Sequence, residues 1–282
     1  MGGGLMKLEF ITQLVQHALS EDVGIGDITA QLIPATQTLH ARVITREAAV
    51  ICGVEFVNET FRQVDANTRI IWDVKEGESV VADQALFHVF GNARSLLTAE
   101  RTALNWLQTL SGTATVTRHY VDKIKHTHCR LLDTRKTIPG LRLAQKYAVT
   151  IGGGVNHRIG LFDAFLIKEN HIAACGSITA AVNAAKQIGH EQLIEVEVEN
   201  FIQLQEAIVT GVGRIMLDNF TLEQIREAVR INNNQVPLEV SGNVTLDSIA
   251  EVAETGVDFI SVGAITKHVR AIDLSMRVVT DA

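Results

Sequence analysis

Proline and cysteine are scarce in this chain, three of each in 282 residues. So few prolines leave no tract that would hold a fibrous or disordered form. With 46% hydrophobic and 20% charged residues, the composition is that of a soluble globular protein. Cys52, Cys129 and Cys175 are far apart, odd in number and form no C-x-x-C pair. That pattern excludes a disulfide framework and a cysteine zinc site, and suits a reducing compartment. Positive charge is in deficit: the net charge is −7 and the pI is near 5.8. A nucleic-acid binder relying on bulk positive charge is thereby excluded. Long apolar runs are missing too. MGGGLMKLEF has no leader-type apolar region, and its glycines read as a flexible lead-in. No stretch approaches the length of a membrane span. The expectation is a cytoplasmic enzyme with neither nucleic acid nor membrane as partner, long enough for two domains of ordinary size.

What the chain does have is a cationic island. Between Arg130 and His171 stand seven Lys and Arg (Arg130, Arg135, Lys136, Arg142, Lys146, Arg158, Lys168) against three acids, Asp133, Asp163 and Glu169. A cluster of this sign in an acidic protein marks where an anion is held.

Around the island the hydrophobic pattern changes character. Leu8–Ser20 has apolar residues at helical spacing. Short β-rich runs follow at 41–45, 48–52, 69–74 and 86–90, with a helix expected near 54–64. A strongly apolar helix comes next, ending at Gly112. It carries Arg101 beside Glu100, a pair that by itself reads as a surface ion pair. Beyond Thr113 six strands are expected, at 130–133, 162–167, 193–198, 214–217, 238–240 and 259–262, alternating with helices. The later ones recur about every 20 to 25 residues, the spacing of βα units in a parallel barrel, and six units make it incomplete.

In such folds ligands bind at the carboxyl ends of the strands. Read in order, those ends carry Thr134-Arg135-Lys136, Lys168-Glu169-Asn170, Glu197-Val198-Glu199-Asn200, Asp218-Asn219, Ser241-Gly242-Asn243 and Gly263-Ala264. The first two are cationic, the middle two acidic, the last two small and glycine-bearing. VSGNV and SVGAIT suit a phosphate cradle, because glycine lets backbone N–H groups approach an anion. Glu197 and Asp218 are a carboxylate pair for Mg²⁺ or for ribose hydroxyls. Glu195, Glu197 and Glu199 share one strand face; they read either as solvated acids of an edge strand or, since one face of a barrel strand points inward, as acids of which some need a purpose or a partner. His157 and Arg158 follow the Gly152–Gly154 run and suit carboxylate recognition. Lys168 reads as a carboxylate or phosphate contact, or as a Schiff-base nucleophile.

DTRKTIPGLR, GGGVNHRIGLFDAFLIKENH, EVEVEN, MLDNF, EVSGNV and FISVGAITKHVRAIDLSM together resemble the quinolinate phosphoribosyltransferases. EDVGIGDIT and AERTALNWLQTLSG extend the likeness to nearly the whole chain. The resemblance implies an α/β fold: an N-terminal α/β sandwich over 1–115, and an incomplete, open α/β barrel over 116–267. It further implies a closing helix over 268–282 that packs back on the first domain. The implied activity is transfer of phosphoribose from phosphoribosyl pyrophosphate to quinolinate, with Mg²⁺, giving nicotinate mononucleotide, CO₂ and pyrophosphate. A homodimer is implied, with Arg101 donated across the interface, which replaces the surface-pair reading. By the same matching Thr134, Arg135, Lys136, His157, Arg158 and Lys168 form the substrate pocket, and Lys136, Lys168, Glu197 and Asp218 carry the chemistry. Glu197 and Asp218 face ribose and metal. Ser241, Gly242, Asn243, Val262, Gly263 and Ala264 face the 5′-phosphate. The readings that compete are a transferase for nicotinate itself, a Schiff-base barrel lyase using Lys168, and a binding protein that kept the fold without the activity.

Overall fold

Apolar residues at a spacing of three and four build the longest element of the chain, α3 (Ala93–Ile124). The computed structural model describes residues 7–189 and 191–279. The opening glycines and the last three positions of the expected closing helix lie outside these. Two compact units divide the chain: one is drawn from stretches 7–116, 143–152 and 268–279, the other from 117–142 and 153–267.

The first unit contains α1 (Leu8–Val23), β1 (Thr38–Thr45), β2 (Ala49–Val50), α2 (Val54–Val64), β3 (Arg69–Trp72), β4 (Ser79–Val80), β5 (Ala85–Asn92) and most of α3. Alternating side chains of β1 and β5, including Ala41, Val43, Phe87 and Val89, meet Leu96, Ala99, Ala103, Leu104 and Leu107 of α3 in one core. Each buried leucine there contributes about 2 kcal/mol. Glu76 accepts the backbone N–H groups of Gly53 and Val54, and so closes the start of α2.

Two expectations are corrected here. The helix does not end at Gly112. A Cβ at that position would lie 2.1 Å from the carbonyl oxygen of Arg270, so this glycine permits a close backbone approach and is no stop signal. The closing segment 268–282 also differs from the expected helix. After α10 (Ala264–Lys267) the chain forms a strand, β12 (Leu274–Val278), which pairs antiparallel with β1, Ala41 opposite Val278 and Val43 opposite Met276. Leu274 and Met276, two apart and so on one face, pack against the core of the unit.

The second unit is built on β6 (Arg130–Leu132), β7 (Ala164–Ile167), β8 (Leu193–Val198), β9 (Arg214–Asp218), β10 (Leu238–Ser241) and β11 (Phe259–Ser261). All the pairings are parallel, in the order β6-β11-β10-β9-β8-β7. That is the cyclic order of a barrel with one seam left open, between the first strand and the second. Each strand appears where sequence pattern places it, within a residue or two. Of the helices between them, α4 (Arg142–Ile151) falls in the first unit from Leu143 on. The others are α5 (Glu169–Cys175), α6 (Ile178–Ile188), α7 (Phe201–Val209), α8 (Leu222–Asn232) and α9 (Ile249–Ala253). Ser177, Asn200 and Thr221 cap α6, α7 and α8, each accepting the N–H three residues on. No helix among the described residues is long and apolar enough to cross a membrane.

Candidate active site

The carboxyl ends of the six parallel strands surround a cavity of about 370 Å³ in the second unit. Its wall contains Thr134, Arg135 and Lys136 after β6, His157 and Arg158 from the glycine-led loop, and Lys168 after β7. Glu197, Asp218 and Ser241 face them. Nine sequence-selected residues thus come together. Leu166, Met216 and Ser261 also line the cavity, and the sequence alone does not single them out. Their signal was positional: each is an inward residue near a strand's end, but apolar or small enough to pass as core.

Three of the seven island cations lie elsewhere. Arg142 is consumed as a brace, its guanidinium reaching Thr137 Oγ1 and the carbonyls of Arg135 and Ile159. Lys146 is fully buried in α4, and Arg130 is exposed on β6. The four that remain, Arg135, Lys136, Arg158 and Lys168, face one space.

Local sequence explains how the loop before β7 is held. Asp133, fully buried at the end of β6, accepts the Asn156 side chain at 2.6 Å and the His157 N–H at 2.9 Å. Asp163 closes the other side, accepting the N–H groups of Ile159 and Gly160 at 2.7 and 3.0 Å. Both acids of the island's middle are therefore structural anchors for the cations around them. Burial, and then the charge of Arg135, disfavour the charged form of Arg158.

Lys168 Nζ lies 2.5 Å from Glu197 Oε2. An amine engaged by a carboxylate is the opposite of the apolar or like-charged setting in which a Schiff-base lysine works. Asp218 is held above the usual carboxylate range, first by burial and then by the charge of Glu197. Glu199, one step further along, is exposed at the rim, where a hydrogen bond with Glu169 raises it.

Because strand side chains repeat every two residues, a second layer lies under the first. Glu195, Arg214, Glu239 and Phe259 stand two residues before Glu197, Met216, Ser241 and Ser261. Arg214 donates to Glu239 at 3.0 Å and lies 4.1 Å over the ring of Phe259. His157 Nε2 is 2.9 Å from Glu195 and 3.5 Å from Glu239. Burial pushes Glu239 up to about 8, with the charge of Glu195 adding to it. Glu195 is raised as well, by burial, against the pull of Arg214.

The late loops are shaped by glycine. Gly242 has φ +104°, and a Cβ there would come within 2.3 Å of Asn219 Oδ1. Asn243 follows, also left-handed at φ 52°. At Gly263 a Cβ would press on Lys136 Cδ at 2.9 Å and Thr134 Oγ1 at 3.3 Å. Ala264 opens α10. Val262 differs from its neighbours: it is buried, and its N–H is given to Leu132 O.

Arg101 belongs to the first unit. It is exposed on α3 and lines a cavity of about 280 Å³ with Asp22, Asp27 and Thr98. It makes no hydrogen bond or short ion pair among the described residues. Ile25, Ile28 and Leu32, in the segment after α1, are strongly exposed.

Comparison with known proteins gives one answer. Residues 113–277 match the family described as quinolinate phosphoribosyl transferase, C-terminal domain, and residues 27–111 match its N-terminal domain. A Bacillus subtilis protein named probable nicotinate-nucleotide pyrophosphorylase [carboxylating] is 40% identical, over 95% of this chain and 93% of its own. A Nicotiana tabacum protein named quinolinate phosphoribosyltransferase [decarboxylating] 1b is 37% identical, over 95% and 82%. The solved nicotinate-nucleotide pyrophosphorylase of Francisella tularensis superimposes with a TM-score of 0.95 at 53% identity, covering 97% of each chain.

Proposed function

The chain belongs to the quinolinate phosphoribosyltransferase family, and from that we propose that it makes nicotinate mononucleotide from quinolinate and phosphoribosyl pyrophosphate, a step of NAD biosynthesis. The observation that carries the reading is the convergence of Arg135, Lys136, Arg158 and Lys168 on one cavity whose far wall is acidic. Quinolinate is a dianion and its co-substrate carries several phosphates, so free in water they repel each other. Four cations offset that repulsion. Arginine adds a planar fork that grips a carboxylate through two hydrogen bonds.

The reaction then follows the charges. The ring nitrogen of quinolinate bonds to C1 of the ribose, and the C1–O bond to pyrophosphate breaks with its electron pair leaving on oxygen. Positive charge that develops on the ribose lies beside Glu197 and Asp218, which stabilise it. The alkylated ring is a pyridinium, an electron sink. The carbon–carbon bond to the 2-carboxylate breaks, CO₂ leaves, and the electron pair on the ring carbon takes up a proton. Arg135, Lys136, His157, Arg158 and Lys168 hold the ring and its carboxylates. The loops at Ser241–Asn243 and Val262–Ala264 receive the 5′-phosphate, with Gly242 and Gly263 giving room for backbone approach.

Glu197 and Asp218 also fit a divalent cation. The charge of Glu197 disfavours that of Asp218, a setting that a hard cation relieves, and Mg²⁺ takes carboxylate and phosphate oxygens. Bound there, Mg²⁺ would neutralise charge on the departing pyrophosphate. The same reading pairs two copies of the chain, with Arg101 serving the partner's cavity. Its support is an exposed guanidinium in one cavity with the exposed Ile28 and Leu97, apolar surface of the kind that marks an interface. Cytoplasmic location belongs to the proposal too, and the free cysteines Cys52, Cys129 and Cys175 suit it.

The test is conversion of quinolinate to nicotinate mononucleotide by purified protein with phosphoribosyl pyrophosphate and Mg²⁺. No product from protein shown to be folded would overturn the reading. A lyase acting through Lys168 would instead give a borohydride-trapped adduct.

A further inference from the structure

A buried acid pair, Glu195 and Glu239, lies under the cavity floor and has no part in the transfer chemistry above. The imidazole of His157 reaches it, Nε2 standing 2.9 Å from Oε2 of Glu195 and 3.5 Å from Oε2 of Glu239. The other ring nitrogen is already committed: Nδ1 accepts the backbone N–H of Arg158 at 2.7 Å. A nitrogen that accepts carries no proton, so the ring proton is on Nε2, on the side of the acids. That tautomer decides against a metal centre. His157, Glu195 and Glu239 bring ligand atoms within 4.8 Å of one another, yet an Nε2 that bears a proton has no lone pair to give.

The acids need that proton. Glu195 is 1% exposed, and neither of its oxygens finds an aligned hydrogen bond among the described residues. Glu239 is answered from the other side by Arg214 at 3.0 Å. Arg214 acts on Glu195 through its charge, and the ring of His157 is the nearer basic group, its Nε2 standing at 2.9 Å without the alignment of a full hydrogen bond; removing such a neighbour from a buried carboxylate is strongly destabilising. At its backbone end His157 is held by Asp133, which accepts its N–H at 2.9 Å. The residue is therefore pinned at both ends. Arg158, whose own N–H is bonded to the pinned ring, inherits the position and presents its guanidinium to the cavity.

We propose that Glu195 is a positioning residue for recognition of the pyridine substrate: through the Nε2 proton of His157 it fixes the backbone at Arg158 and so aims that guanidinium at a substrate carboxylate. The inference rests on the assignment of Arg158 to carboxylate recognition in the proposed function. A bidentate grip depends on aim, and small misplacement is expensive. Phosphoribosyl pyrophosphate, held by other residues, gains nothing from this device.

The experiment compares Glu195→Ala, which removes the acceptor, with Glu195→Gln, which keeps an oxygen for the Nε2 proton. Glu195→Ala is expected to raise KM for quinolinate by about tenfold or more, while KM for phosphoribosyl pyrophosphate and kcat stay within about twofold. Glu195→Gln restores most of the loss. A second readout needs no turnover: side-chain ¹⁵N shifts of His157 report the Nε2–H tautomer in wild type and Glu195→Gln, and a mixture in Glu195→Ala. Equal rises in both KM values, or an unchanged KM for quinolinate, overturn the proposal. So does an Nδ1–H tautomer in wild type, which decides the matter should Glu195→Ala fail to fold. Wild-type protein that turns over no quinolinate but shows the expected ¹⁵N pattern would instead count against the function while leaving the His157–Glu195 coupling intact.

Discussion

Lys168 and Glu197 face each other across adjacent parallel strands, Nζ to Oε2 at 2.5 Å. The register makes this contact: Leu166 pairs with Glu195 and Ile167 with Val196, so the residues that follow stand level. A cation of the cavity wall is thereby bonded to an acid on the neighbouring strand, and in the proposed function that contact would link the carboxylate pocket to the ribose and metal side. Glu197→Gln removes the acid's charge while keeping its shape. We expect kcat to fall by about a hundredfold and the Mg²⁺ concentration for half-maximal activity to rise. Titration of activity with Mg²⁺ checks this; an unchanged Mg²⁺ requirement would assign Glu197 to ribose alone.

The proposed pairing of two chains makes a prediction that single variants do not. Arg101→Ala and Lys136→Ala are each expected to be nearly inactive alone. Mixed and allowed to exchange subunits, half the dimers are hybrids, each with one intact site. Activity should return to roughly a quarter of wild type. No recovery in mixed samples shown to exchange would place Arg101 outside the partner's site.

Gly242 tests the proposed phosphate side. Its φ of +104° and the 2.3 Å approach to Asn219 Oδ1 leave no room for a methyl group. Gly242→Ala should cost about 1–3 kcal/mol of stability, read by urea denaturation. It should also raise KM for phosphoribosyl pyrophosphate about tenfold with little change for quinolinate. The reverse pattern would move the phosphate elsewhere.

Away from the site, Glu59 offers a pH-dependent stability. Hydrogen bonds from Arg62, at 2.6 and 2.7 Å, are the main cause holding it down at about 2. A carboxyl depressed in the folded state stabilises fully above its unfolded value, near 4.5, and loses that contribution as pH falls towards 2. Arg62 is 59% exposed, so solvent screening trims the gain to on the order of 1 kcal/mol. Wild type should exceed Glu59→Gln in urea midpoint at pH 7, with the gap closing between pH 4.5 and 2. A gap that persists at the acid end would refute the ion pair as its source.

The six parallel strands were legible because each is a short run with a buried apolar set and a polar cluster after it, even where, as in β8, acids alternate within it. The cavity wall was legible for the same reason, since those clusters are the strand ends. What sequence did not show depends on partners distant in the chain. Gly112 reads as a helix stop until the backbone at Arg270 is seen against it. Leu274–Val278 is strand because β1 offers an edge to pair with. Glu195 was visible only as one of three acids on a strand face of open orientation, because its answering groups, His157 and Arg214, come from a loop and another strand. Nor does charge alone tell Arg142, spent on backbone carbonyls, from Arg135, which faces the cavity.

The central claim is that the cavity's four cations select a dicarboxylate whose loss of CO₂ completes the reaction. The most direct measurement follows nicotinate mononucleotide and CO₂ together, with quinolinate and nicotinate supplied in parallel alongside phosphoribosyl pyrophosphate and Mg²⁺. Equal amounts of both products are expected from quinolinate and none from nicotinate. Nucleotide formed from nicotinate without CO₂ would contradict it.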